Sequence, residues 1–140
     1  MMPVRGPSEG LAPFFEEFEA ARARHRHPPP VAIIVSIPDQ RVFVYRNGIR
    51  IAVSTCSTGK PGHRTPTGVF QILQKDKHHR SSTYSNAPMP NMQRLTWSGI
   101  AMHSGNLPGH PASHGCIRMP HYMSEKFFDN VQLGTPVIVE

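Results

Sequence analysis

The stretch "VAIIVSIPDQRVFVYRNGIRIAVSTC", Val31 to Cys56, decides the fold of this 140-residue chain. It holds three runs rich in β-branched and aromatic residues, 31–37, 41–46 and 49–56, each too short for a helix and of the kind that fits a pleated surface. Asn47-Gly48 separates the second run from the third, and that dipeptide favours the two-residue hairpin turn that joins antiparallel strands. "VAIIV" is the longest apolar run and reads as a buried strand. Working outward, "GVFQILQ" (68–74), "LTWSGIAMH" (95–103) and "TPVIVE" (135–140) read as further strands. One short helix is expected over 120–131, "PHYMSEKFFDNV", starting with proline in its first turn and burying Met123, Phe127, Phe128 and Val131. The fold class is therefore mainly β.

Upstream the pattern changes. Residues 11–24, "LAPFFEEFEAARAR", line up Leu11, Phe14, Phe15, Phe18 and Ala21 on one stripe of an amphipathic helix. "HRHPPP" (25–30) follows as a stiff linker that no helix crosses. The expected organisation is thus an N-terminal helix with a Pro-rich linker over 1–30 and one domain over 31–140, since a chain of this length buries a single core. The 15 prolines and 11 glycines fit many turns.

A net charge of +6 favours anionic partners, but the basic runs "ARARHRH" and "KDKHHR" lack the interleaved aromatics of a single-strand binding platform, so nucleic acid is not expected. No window approaches the roughly 18 apolar residues of a membrane span. The first ten residues show no apolar leader core, which leaves a removed leader and a cytoplasmic location both open.

Chemistry concentrates in the turn-rich segment 104–118. Cys116 sits in "ASHGCIRM" (112–119), between a His-Gly pair and an arginine. A cysteine becomes a nucleophile when a neighbour stabilises its thiolate or takes its proton, and histidine suits that task near neutral pH. Two histidines qualify: His114, two residues before Cys116, and His103, at the end of a predicted strand stiff enough to hold a base. Gly105, Gly109 and Gly115 permit turns that would aim amide N–H groups at a reacting carbonyl, and Arg118 adds a fixed charge suited to a substrate carboxylate. The segment reads as an acyl-transfer site. Residues 75–94, polar and without periodicity, read as a long loop and a candidate lid.

"H-S-G…P-A-S-H-G-C-I-R-M", from His103 to Met119, resembles the signature of YkuD-type L,D-transpeptidase catalytic domains. The resemblance extends to "STGKPGHRTPTGVF" (57–70) and "MPNMQRLTWSGIAMH" (89–103), and covers roughly residues 31–140. It implies a β-sandwich of mixed sheets with the short helix near the C-terminus. It implies Cys116 as nucleophile and His103 as general base, with Ser104 orienting His103 through its carbonyl. Ser113 and His114 would shape the site, Gly115 and Cys116 would give oxyanion-hole amides, and Arg118, Met92 and Trp97 would lie on the substrate side. The activity implied is peptidoglycan acyl transfer: attack on the third residue of a tetrapeptide stem, then transfer to a second stem, to water, or to an amine of an envelope protein. The periplasm or cell-wall space follows from that substrate. A cysteine hydrolase acting on another amide, and a non-catalytic wall-binding module, are the readings from other classes.

Structural readings of the same residues stand beside these. Cys56, closing a strand, is expected in the core, and a Cys56–Cys116 disulfide would block the nucleophile. His103, His110, His114 and Cys116 lack the paired spacings of a zinc site, so neither metal nor cofactor is expected. Trp97, Met102 and Met119 read by themselves as packing residues, and His63 as bordering the cleft while His121 and the remaining histidines sit on the surface.

Overall fold

A computed structural model describes residues 31–140; the expected helix at 11–24 and the linker lie outside the described residues. Two mixed sheets form the domain. The first has five strands in the order β3-β2-β1-β9-β4, with β1 Val31–Ser36, β2 Arg41–Arg46, β3 Ile49–Thr55, β4 Gly68–Gln71 and β9 Pro136–Val139. The second runs β5-β6-β7-β8, with β5 Gln74–Arg80, β6 Pro88–Arg94, β7 Ala101–Ser104 and β8 Ile117–Met119. Helix α1, His121–Asn130, packs on β6 and β7.

The opening stretch folds as read. β1, β2 and β3 form an antiparallel meander, and Asn47 and Gly48 both take positive φ, 51° and 77°, as the tight hairpin requires. Alternation sends Ile33, Val35, Val42, Val44, Val137 and Val139 inward, where they meet Met102, Ile117 and Met119 of the second sheet and Phe127 and Val131 from the helix region. Full burial of an Ile or Met side chain is worth about 1.5–3 kcal/mol, so this interface carries much of the stability.

Four expectations need correction. "GVFQILQ" is not one strand: the chain changes sheets at Ile72-Leu73, where Ile72 N–H donates to Thr135 O at 3.0 Å in the first layer and Leu73 N–H to Arg94 O at 2.8 Å in the second. Residues 75–94 are not a loop but an antiparallel hairpin, β5–β6, with only 81–87 as its tip. Its polarity hid it: no residue of β5 is buried, and in β6 only Asn91, Met92 and Gln93 are. Pro88 and Pro90 are tolerated because their missing N–H groups face the side of β6 that β7, paired only with Gln93 and Arg94, does not reach.

The strand expected at 95–103 begins only at Ala101. Residues 96–99 form a turn closed by Gly99 N–H on Thr96 O at 3.1 Å, which leaves Trp97 72% exposed, outside both core and cleft, with the Arg94 guanidinium 5.8 Å from its ring centre. In α1, Phe128 is only half-buried, its ring meeting the Lys75 ammonium at 4.4 Å, and Met123 is also half-buried.

β7 and β8 run parallel although only a dozen residues separate them. A parallel pair needs a crossover of about this length, so 105–116 must arch from the end of one strand to the start of the other. That arch carries the Cys116 motif.

Candidate active site

His103 pairs laterally with Arg118 in the β7–β8 ladder, and Cys116 lies two positions before Arg118. Strand alternation therefore directs His103, Arg118 and Cys116 to one face of the second sheet, while Met102 and Ile117 enter the core on the other. With neighbouring strands about 4.8 Å apart, the thiol and imidazole share one floor. Above them is a cleft of about 640 Å³, lined among others by Met92, Arg94, His103, Cys116 and Arg118, a size typical of small-ligand sites.

His103 is held by a hydrogen bond of 2.7 Å between Nδ1 and the backbone carbonyl of Ser104. A carbonyl only accepts, so Nδ1 carries the proton and Nε2 keeps its lone pair for the cleft. Ser104 Oγ in turn lies 3.1 Å from Nδ1 of His121, an exposed residue in the first turn of α1 that borders the same cleft. Burial lowers the His103 pKa below its usual value, with the charges of Arg118 and His79 adding to this and the Ser104 bond opposing it. Burial raises the Cys116 pKa, against the lowering effects of an Ala101 backbone bond and the Arg94 and Arg118 charges. At neutral pH the pair is thus thiol and neutral imidazole, suited to proton transfer during attack rather than to a standing thiolate. Both shifts have a kinetic consequence. Acylation should be flat through neutral pH and fall only on the acid side, with the pair's apparent pKa below 6.5 in a pH profile of kcat/KM. A half-maximum above 6.5 would mean a different base.

Ser113 and Thr65 build the turn that presents the cysteine. Ser113 Oγ accepts Gly115 N–H at 3.1 Å and donates to Cys116 O at 2.5 Å. In this geometry the Gly115 amide is directed at Ser113, which leaves the Cys116 amide as the candidate oxyanion donor of the two. Gly115 has φ 128°, open to glycine alone at low cost. Thr65, buried and unremarked in the sequence, donates its hydroxyl to Gly115 O at 2.7 Å and accepts Gly59 N–H at 2.9 Å. It ties the 57–65 segment to the peptide group that ends in Cys116 N–H, and so fixes that amide's direction. Replacing Thr65 by valine orphans two buried polar groups at about 1–3 kcal/mol each; the denaturant midpoint should fall accordingly, and Thr65→Ser should recover most of the loss.

Segment 57–60 clamps the motif from the other side. Ser57 exchanges two backbone hydrogen bonds of 2.9 Å with Arg118, and Lys60 N–H donates to Ser113 O at 2.9 Å. Gly105 lets the Arg118 stem cross it: a Cβ there would lie 2.9 Å from Arg118 Cγ.

His114 is exposed and borders the cleft. Its ring stacks on Tyr84, at the tip of the β5–β6 hairpin, with centroids 4.1 Å apart, and meets His63 edge-on at 5.1 Å. Tyr84 was hidden in a polar stretch with no signal to single it out. Met92 is fully buried in the cleft wall, whereas Trp97 is not among the cleft residues. Cys56 lies in the core with its thiol pushed up to about 12 by burial, and both cysteines are free. His110 sits exposed on the arch, and among the described residues no three His, Cys, Asp or Glu side chains are grouped to hold a metal.

A cysteine just before β8 and a tautomer-fixed histidine on β7, with two guanidinium groups lining the same cleft, form an arrangement of the kind that acyl transfer through a cysteine uses, on a two-sheet β domain. The sequence matches the family model of the YkuD L,D-transpeptidase catalytic domain over residues 30–139, and the chain belongs to that family. It is 30% identical over 122 residues to L,D-transpeptidase 1 of Mycobacterium tuberculosis, covering 76% of this chain and 49% of the relative. Probable L,D-transpeptidase 3 of the same organism is 29% identical over 129 residues, covering 81% and 45%. The fold superposes on the solved structure of the L,D-transpeptidase LdtMt1 in complex with imipenem with a TM-score of 0.74 at 27% identity, covering 80% of this chain and 59% of that one. An L,D-transpeptidase from Mycobacterium smegmatis gives 0.73 at 25% identity, covering 80% and 59%. The chain spans about half the length of the curated relatives it matches.

Proposed function

We propose that this domain is a peptidoglycan L,D-transpeptidase acting through a Cys116 acyl-enzyme. The observation that supports the reading best is the β7–β8 ladder, which brings His103 and Arg118, with Cys116 just before β8, to one face of a cleft. Cys116 Sγ attacks the carbonyl of the third residue of a tetrapeptide stem as His103 Nε2 takes the thiol proton. The Cys116 amide supports the oxyanion. Collapse breaks the bond to the terminal D-Ala, whose amine leaves with the proton from His103, and a thioester remains. An acceptor amine then attacks the thioester while His103 takes its proton. The departing thiolate regains that proton, restoring the thiol and the free base.

Arg118 and Arg94 offer two positive charges for the carboxylates of a stem peptide. Acceptor identity decides the product: a second stem gives a 3→3 cross-link, water gives a tripeptide, and an amine of an envelope protein gives wall anchoring. The setting is the periplasm or cell-wall space, where cross-linked peptidoglycan is found; among the described residues no helix is long and apolar enough to cross a membrane. Incubation of the pure protein with disaccharide-tetrapeptide, followed by mass spectrometry of the products, tests this. Cross-linked dimer with released D-Ala is expected. Tripeptide alone would make the domain an L,D-carboxypeptidase, and unchanged substrate would defeat the reading.

A further inference from the structure

The turn at 96–99 has one end on the nucleophile and the other in solvent. Gly99 O accepts the Cys116 S–H at 3.5 Å, and Ser98 and Gly99 both line the cleft. Two residues before Gly99, the Trp97 indole is 72% exposed. So large an apolar surface left in water is the kind of exposure that asks for a partner.

The turn holds that ring rigidly. Leu95 N–H and Thr96 N–H both donate to Ile100 O, at 2.8 and 3.1 Å, Gly99 N–H donates to Thr96 O at 3.1 Å, and Ile100 N–H donates to Thr96 Oγ1 at 3.0 Å. Arg94, a cleft residue, stands beside the ring: its Nε donates to Gln74 Oε1 at 2.8 Å, and its guanidinium lies 5.8 Å from the indole centre. A ring already fixed in place loses little freedom when a ligand settles on it. The flanking residues Thr96 and Ser98 are polar, so the turn offers one ring and not the apolar patch of several hundred Å² that marks a protein or membrane contact. An indole bordered by hydroxyls and a guanidinium suits a ligand with one apolar face and a polar rim.

We propose that Trp97, with Arg94, is a platform for the N-acetylated sugar that carries the stem peptide; this rests on the transpeptidase reading above. A pyranose lays its C–H face on the negative face of the indole, while its acetamido carbonyl accepts from the guanidinium. The stem joins the glycan through its first residue and is attacked at its third, so three extended residues, about 10 Å, separate sugar from thiol. On the protein side, the Cα atoms of Trp97 and Gly99 are at most about 7 Å apart, and Gly99 O is 3.5 Å from the thiol. The two spans agree. The platform therefore selects donors still attached to glycan over free peptides.

Trp97 is the sole tryptophan of the chain, so its emission reads the platform directly. Titrating the full chain with the peptide-free disaccharide N-acetylglucosaminyl-N-acetylmuramic acid should change that emission saturably, and cellobiose, which lacks acetamido groups, should bind several-fold more weakly. No saturable change, or an equal response to cellobiose, would overturn the proposal. Kinetics give a second readout. The ratio of acylation kcat/KM for disaccharide-tetrapeptide over free tetrapeptide should be roughly three to ten in the wild type, the worth of one aromatic contact, and fall to about one in Trp97→Ala. A ratio near one in the wild type, or a preference that persists in the variant, would also overturn it. If neither donor acylates Cys116, it is the transpeptidase reading that fails, and the emission titration still decides the sugar site.

Discussion

Exchanging His103 for alanine is expected to slow acylation of Cys116 by about 10²–10⁴-fold, the usual worth of a positioned general base. His114→Ala should change the same rate by less than about tenfold, because its ring is exposed and engaged with Tyr84 and His63 at the mouth of the cleft. The contrast follows from support rather than proximity in sequence. His103 stands on β7, its tautomer fixed by the Ser104 carbonyl, which leaves Nε2 with its lone pair, whereas His114 is engaged with Tyr84 at the tip of the β5–β6 hairpin. Stopped-flow acylation by a carbapenem, with intact-mass analysis of the adduct, separates the two. A loss confined to His114→Ala would reverse the roles of the two histidines.

The second large effect concerns the two cysteines. Cys116→Ala should remove acylation altogether, and Cys56→Ala should leave its rate within about twofold while lowering stability, since it trims a buried side chain. Native alkylation should modify Cys116 well before Cys56, whose thiol is both sealed in the core and pushed up to about 12. Without reductant, two thiols should titrate in denaturant. Titration of none would mean that the cysteines had paired, and faster native labelling of Cys56 would contradict the core placement.

Much of the fold and site was legible in residue patterns. The β1–β2–β3 meander was readable because Asn47-Gly48 marks its turn and because β-branched residues fill 31–55. The motif around Cys116 was readable because turn residues crowd a nucleophile and a charge into a short arch. What escaped were features fixed by distant partners. The β5–β6 hairpin carries few apolar residues, and β5 has no buried residue, so no periodicity announced it. Trp97 looked like a core residue until a tight turn pushed it into solvent beside Arg94. Thr65 gave no sign of its position because its two partners, Gly59 and Gly115, are 6 and 50 residues away in sequence. The short β8 was hidden for a related reason: three residues become a strand only because β7 and Ser57 flank them.

The proposed chemistry turns on a thioester at Cys116, and intact-mass spectrometry of the protein mixed with a tetrapeptide-stem donor tests it most directly. The predicted result is one covalent adduct with the mass of the donor less its terminal D-Ala, mapping to Cys116 on peptide analysis and absent from Cys116→Ala. Turnover of the donor by Cys116→Ala, or an adduct on any other residue, would contradict it.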